Sequence, residues 1–169
     1  DYALGRFFSK DFDDDFEKQL AEFIALNTGV WVGEIDETTR KRLAKIIDNS
    51  YANGLSVDET GVALRNTVIG MGVYRANLIS RTEVHRVASF ANEAVAENMK
   101  IDGTVKEWVA IQDNRTRVTH SFASGQRVAL EEFFVVGGEK LKYPGDPRGS
   151  AGNTINCRCA SIYITPDFL

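Results

Sequence analysis

The densest run of chemistry-bearing side chains is Gln112-Asp113-Asn114-Arg115-Thr116-Arg117-Val118-Thr119-His120. On a short helix opened by Asp113, positions 113, 117 and 120 share a face, so a carboxylate, a guanidinium and an imidazole would stand side by side. Such a set suits anion binding or acid–base chemistry. The same residues also make a purely structural set: an Asp cap, an Asp113–Arg117 pair, and a His bonded to a loop carbonyl. No nucleophile lies nearby in the sequence, which favours the structural reading.

A second cluster is Asn156-Cys157-Arg158-Cys159. On a strand, Cys157 and Cys159 point to one face and Arg158 to the other. The two thiols could ligate zinc together with His120 and a fourth group such as His85. Structural zinc sites usually bring two separated ligand pairs and this chain has one, so buried packing thiols are the competing reading. A disulfide between positions one residue apart would be strained, so reduced thiols are expected. A third group, Arg81-Thr82-Glu83 with His85 and Arg86, lies on a long helix where Arg81 and His85 are one turn apart. It is either a solvated stripe, a set of buried anchors, or, with Asp113, Arg117 and His120, the polar set of an ADP-ribosyltransferase-like or toxin-like enzyme.

The elements that must position these groups change character midway. Asp13 to Asn27 carries Phe16, Leu20, Phe23 and Ile24 on one stripe, with Gly29 beyond its end. A second helix starts near Asp36, turns Leu43, Ile46 and Ile47 inward and stops at Gly54. Ser56 and Glu59 form a capping-box pattern for a short helix through about Thr67. A long helix is expected from Val73 to Lys100, with Leu78, Val84, Val87, Phe90, Ala91 and Ala94 on its buried side. From there the period shifts towards two. Thr104 to Ile111 reads as a strand with Trp108 on the face opposite Val105, Val109 and Ile111. Phe133 to Val136, the Gly137-Gly138 turn and Glu139 to Tyr143 read as a hairpin. Pro144 to Asn153 reads as a long surface loop, and Ile155 to Ile164 as the last strand. The fold class is α+β, a helical N-terminal half (1–72) followed by a small, mostly antiparallel sheet domain (73–169).

Composition narrows the functional classes. The 169 residues are 43% hydrophobic and 26% charged, an ordinary balance for a globular domain. The net charge is −4, and the acidic excess lies in residues 1–100, where 12 basic residues face 16 acidic ones, helped by Asp11, Asp13, Asp14 and Asp15. That disfavours neutralising DNA phosphates over a wide surface. No apolar run approaches the ~18 residues of a membrane span. The sequence starts at Asp1 without an initiator Met or a signal pattern and reads as a fragment or a processed product.

The order of the clusters is more specific than any one of them. Arg81-Thr82-Glu83 is followed by Gly103 and Trp108, then by Asp113-x-Arg115-Thr116-Arg117-x-x-His120. Next come Phe133 or Phe134, Tyr143-Pro144-Gly145-Asp146-Pro147 and Ile155-Asn156-Cys157-Arg158-Cys159. This series resembles the phage Mu protein F-like family of minor head, or head-morphogenesis, proteins across residues 75–164. The resemblance implies a protein of the phage head, found in host cytoplasm during assembly, that meets the portal protein or the major capsid protein and only indirectly the packaged DNA. No cofactor is expected beyond the weak zinc candidate. Relatives commonly carry Asp-Gly after the His where this chain has Ser124-Gly125, a pair that serves equally as a turn. Arg115, Arg117 and Arg158 are read as five-donor forks that lock loops into a rigid docking surface.

Overall fold

Acidic residues open α1 and an apolar stripe runs along it, so the segment folds as a helix that needs a neighbour. The computed structural model describes residues 10–168 other than 34 and 69; residues 1–9 of the expected helical region lie outside the described residues. In it α1 spans Lys10–Asn27, α2 Glu37–Ala52, α3 Val57–Thr67 and α4 Val73–Met99. The Asp36 side chain caps α2 by accepting from the Thr39 N–H. Ser56 and Glu59 cap α3 reciprocally, as their spacing predicts. Leu20, Phe23 and Ile24 of α1 meet Ile47 of α2 and Val87 and Ala91 of α4, and the Phe23 ring stacks on Phe90 at 3.9 Å. Leu43, Leu64, Ala76 and Ile79 form a second buried cluster among α2, α3 and α4.

The C-terminal part is a three-stranded antiparallel sheet and a separate hairpin. Strands β1 (Val105–Val109), β2 (Arg127–Ala129) and β5 (Ala160–Ile164) pair in the order β2-β1-β5. Strands β3 (Phe134–Val136) and β4 (Glu139–Leu141) form the hairpin, with Phe134 opposite Leu141. Its Gly137-Gly138 turn has positive φ at both positions, as a two-residue primed turn requires. Two short helices complete the order, α5 (Val118–Ala123) and α6 (Ala151–Thr154). Trp108, Phe134, Val136, Leu141, Cys157 and Cys159 share the core beneath the sheet.

The α+β architecture is as expected, and the differences are local. The first strand is shorter than Thr104–Ile111, and its buried face carries Lys106 and Trp108. Strand β2 lies where no strand was expected; its three residues pair with β1 and supply too little pattern to be read alone. The loop from 144 to 153 closes with one helical turn, α6. Residues 155–159 are not part of the last strand, which starts at Ala160. On α4 the buried side includes Thr82, Glu83, Arg86 and Glu93, whereas Leu78, Val84 and Phe90 are only half-buried. Thr82, Glu83 and Arg86 take that side because loop backbone packs against it, whereas Glu93 meets Lys106 of β1 and Tyr163 of β5.

Candidate functional site

Helix α4 is the support on which the site is assembled, and successive side chains reach three different segments. Glu83 is fully buried and accepts hydrogen bonds from the Gly29 backbone N–H at 3.1 Å and the Trp31 indole N–H at 2.6 Å. It also pairs with the Arg86 guanidinium at 3.2 Å. Burial pushes the Glu83 carboxyl above the usual range, against the opposing pull of Arg86. Arg86 donates onward to the carbonyls of Gly145 and Asn27. Thr82 Oγ1 accepts from the Asn156 N–H at 3.0 Å, and His85 Nε2 lies 2.8 Å from the Cys159 carbonyl oxygen.

The Pro144–Pro147 turn is fixed from within. Asp146, 1% exposed, accepts from the Lys142 and Arg148 backbone N–H groups and pairs with the Arg148 guanidinium at 2.7 Å. Arg148 in turn lies over the Phe133 ring, 4.8 Å from its centroid. Gly145 has φ +83, and a Cβ there would stand 3.0 Å from His85 Nδ1, so the turn reaches α4 only without a side chain. Tyr143 packs edge-on against Phe90.

Asp113 does not open a helix. Arg117 is the N-cap of α5, and Asp113 instead folds a turn by accepting from the Arg115 N–H and the Thr116 hydroxyl. Its expected partner Arg117 is replaced by Arg158, whose two terminal nitrogens meet the two carboxylate oxygens at 2.8 and 2.6 Å. The Arg158 fork holds the Asp113 carboxyl well below the usual carboxylate range. Arg117 donates to the Ile155 carbonyl at 2.6 Å, so the two arginines fasten both ends of the 155–159 segment. Asn156 takes a left-handed φ of 55, which lets the segment turn while presenting its N–H to Thr82.

Arg81, Arg115, Arg117, Arg158, His85, Asn156 and Cys157 line a cleft of about 600 Å³ between α4 and this segment. Arg115 remains largely exposed. The set Arg81, Glu83, Asp113, Arg117 and His120 is therefore not gathered at one place. Arg81 and Arg117 border the cleft, Asp113 is committed to Arg158, His120 is buried beneath, and Glu83 faces the α1–α2 link in a closed ion pair.

His120, Cys157 and Cys159 do converge, all buried, with their ligand atoms within 4.8 Å of one another. His120 Nδ1 lies 3.2 Å from Cys159 Sγ and 3.7 Å from Cys157 Sγ. The His120 ring stands edge-on to Trp108 at 5.7 Å. Donation from the Cys159 thiol draws the Cys157 thiol down, while Cys159, holding that proton against its neighbour in a buried setting, is pushed up. His85 does not join this group, because its ring is bonded to the Cys159 carbonyl.

Sequence reasoning missed Lys106 and Glu93. The buried ammonium donates to Glu93 Oε1 at 2.6 Å and to the Lys142 carbonyl at 2.8 Å, and Tyr163 donates to the other carboxylate oxygen at 2.8 Å. Alternation could have found Lys106, since it occupies the same strand face as Trp108.

Fold and site together define an α+β module in which a long helix carries a loop-built, arginine-fastened C-terminal surface. The family model for Phage Mu protein F like protein matches residues 24–162, and the chain belongs to that family. The chain is 35% identical over 134 residues to the minor head protein GP7 of Bacillus phage SPP1, covering 76% of this chain and 43% of GP7. It is 30% identical over 130 residues to the NAD(+)–arginine ADP-ribosyltransferase EFV of Enterococcus faecalis, covering 74% of this chain and 26% of that protein. It is 26% identical over 148 residues to the uncharacterized protein YqbB of Bacillus subtilis, covering 86% of this chain and 45% of YqbB. The chain thus spans between about a quarter and just under half the length of these relatives. No solved structure matches it. Among the described residues no helix is long and apolar enough to cross a membrane.

Proposed function

We propose that this chain is the family module of a minor head protein, acting in the head of a tailed phage or prophage through contact with the portal protein or the major capsid protein. The observation that carries the reading is the similarity to the minor head protein GP7, which extends over 76% of the chain. The geometry supports it. The motif side chains Asp113, Arg117, Asp146 and Arg158 are spent on fixing loops, which gives a rigid surface suited to docking. A role in packaging or delivery of DNA follows from that location and acts through the partner, since the chain is acidic overall, with net charge −4. The competing reading, an effector enzyme carried in the head, draws on the name of one relative of which this chain covers 26%. Among the described residues, Glu83 is held in a closed ion pair with Arg86 and Asp113 is committed to Arg158.

The test is co-sedimentation of the purified chain with portal rings and, separately, with capsid protein of the phage that encodes it. Saturable binding at micromolar concentration or tighter is expected, weakened when Arg158 is replaced by Ala and the 113–117 turn is released. Absence of binding to both partners at that concentration overturns the proposal.

A further inference from the structure

We propose that His120, Cys157 and Cys159 form a zinc site with three protein ligands, holding α5 to the 155–159 segment. The polar atoms converge in a way that hydrogen bonding alone leaves incomplete. An imidazole Nδ1 offers one lone pair or one N–H, and it faces two sulfurs, at 3.2 and 3.7 Å. The other ring nitrogen, Nε2, is buried without a hydrogen-bond partner among the described residues, so the polar capacity of the ring is directed at the thiols. Zinc bonds of about 2.3 Å to sulfur and about 2.0 Å to nitrogen, at a tetrahedral angle, place the nitrogen ~3.6 Å from each sulfur. The two separations found bracket that value, and all three ligand atoms lie within 4.8 Å of one another.

The surroundings suit thiolates. The Cys159 backbone N–H points at Cys157 Sγ at 3.5 Å, a donor to a ligating sulfur. Arg117 and Arg158 both fasten this segment, one at Ile155 and one at Asp113, and Arg117, bonded to a carbonyl, brings positive charge to it. Binding forms two Zn–S bonds and one Zn–N bond and releases to solvent whatever protons the two sulfurs hold. The dication and the two thiolates then sum to zero charge in a buried place. His85 is excluded as a fourth ligand by its bond to the Cys159 carbonyl. Three protein ligands leave the fourth position to water or another small ligand, and Cys157 borders the arginine-lined cleft from which one would come.

The chain, free of a histidine tag and purified without chelator, should contain about one zinc per molecule by atomic emission. Replacing zinc with cobalt(II) should give thiolate-to-metal absorption in the near ultraviolet and the visible bands of a tetrahedral ion. Cys157→Ser, Cys159→Ser and His120→Asn should each cut metal content at least tenfold, whereas His85→Gln should retain it. Should the ligand variants fail to fold, the cobalt spectrum and chelator-induced lowering of the melting temperature of the unaltered chain decide the matter. A folded chain that takes up no zinc from micromolar solution and leaves both thiols open to titration overturns the proposal. So does cobalt bound without thiolate absorption, or zinc content that survives His120→Asn and Cys157→Ser.

Discussion

Replacing Lys106 by Met tests whether the sheet is held to α4 by charge as well as by apolar packing. Met keeps most of the aliphatic stem and deletes only the ammonium, which is completely buried, 2.6 Å from Glu93 and 5.4 Å from the centroid of the Phe134 ring. Both groups are disfavoured by leaving water: burial pushes the Glu93 carboxyl up and the Lys106 ammonium down. Removing one partner of such a pair typically costs about 3–5 kcal/mol, because a charge is left without compensation. Here Tyr163 still donates to Glu93, and Lys142 stands 3.7 Å away, so the lower end, about 3 kcal/mol, is expected. In urea unfolding followed by circular dichroism, that loss lowers the midpoint by roughly 1.5 M for a slope of about 2 kcal/mol/M. The pH dependence adds a second constraint. In the variant the folded-state value of Glu93 lies further above its unfolded value, so stability is retained at acid pH and lost as pH rises through the folded value. The deficit should therefore be smallest below the ordinary glutamate value of 4.5. The double variant Lys106→Met/Glu93→Leu should recover most of the loss, since a buried pair replaced by apolar groups is often neutral. A single-variant loss under ~1 kcal/mol, or a double variant no more stable than the single, would refute the reasoning.

Two further outcomes follow. Glu83→Gln leaves the Arg86 guanidinium, 3% exposed, with carbonyl acceptors only, and should cost about 3 kcal/mol while shifting Trp31 fluorescence; unchanged stability and emission would remove Glu83 from its anchoring role. Arg158→Ala should raise the Asp113 carboxyl towards the ordinary carboxylate range in an NMR titration, with the Arg115 N–H and Thr116 hydroxyl still holding it down in part. In the unaltered chain its contribution to stability is present above that range and is lost as pH falls through the lowered folded value; an unmoved titration midpoint would rule out Arg158 as the cause.

What could be read from the sequence was whatever local chemistry decides. The Ser56–Glu59 cap and the Gly137-Gly138 turn involve partners a few residues apart, and both form as read. The family order located the site without revealing its bonds. Asp113 was matched with Arg117 on the assumption of a helix between them, yet that helix begins only after Arg117, and the true partner lies 45 residues away. The 155–159 segment was read as strand because its residues alternate apolar and polar. Both cysteines are indeed buried with Arg158 less so, but Asn156 turns the backbone with positive φ, and among the described residues no strand pairs with the segment. Lys106 and Glu93 escaped notice because neither position is apolar, and only their meeting makes burial tolerable for each.

The reach of α4 has a consequence for the order of folding. The bonds it makes through Glu83, Arg86, Thr82 and His85 join residues 54, 59, 74 and 74 positions apart. The helix's own hydrogen bonds are local, whereas each of these bonds requires closure of a long loop. Within this module the 155–159 segment follows the helices in the chain, so the buried thiols, the arginine clasp and the cleft all depend on one late stretch of sequence.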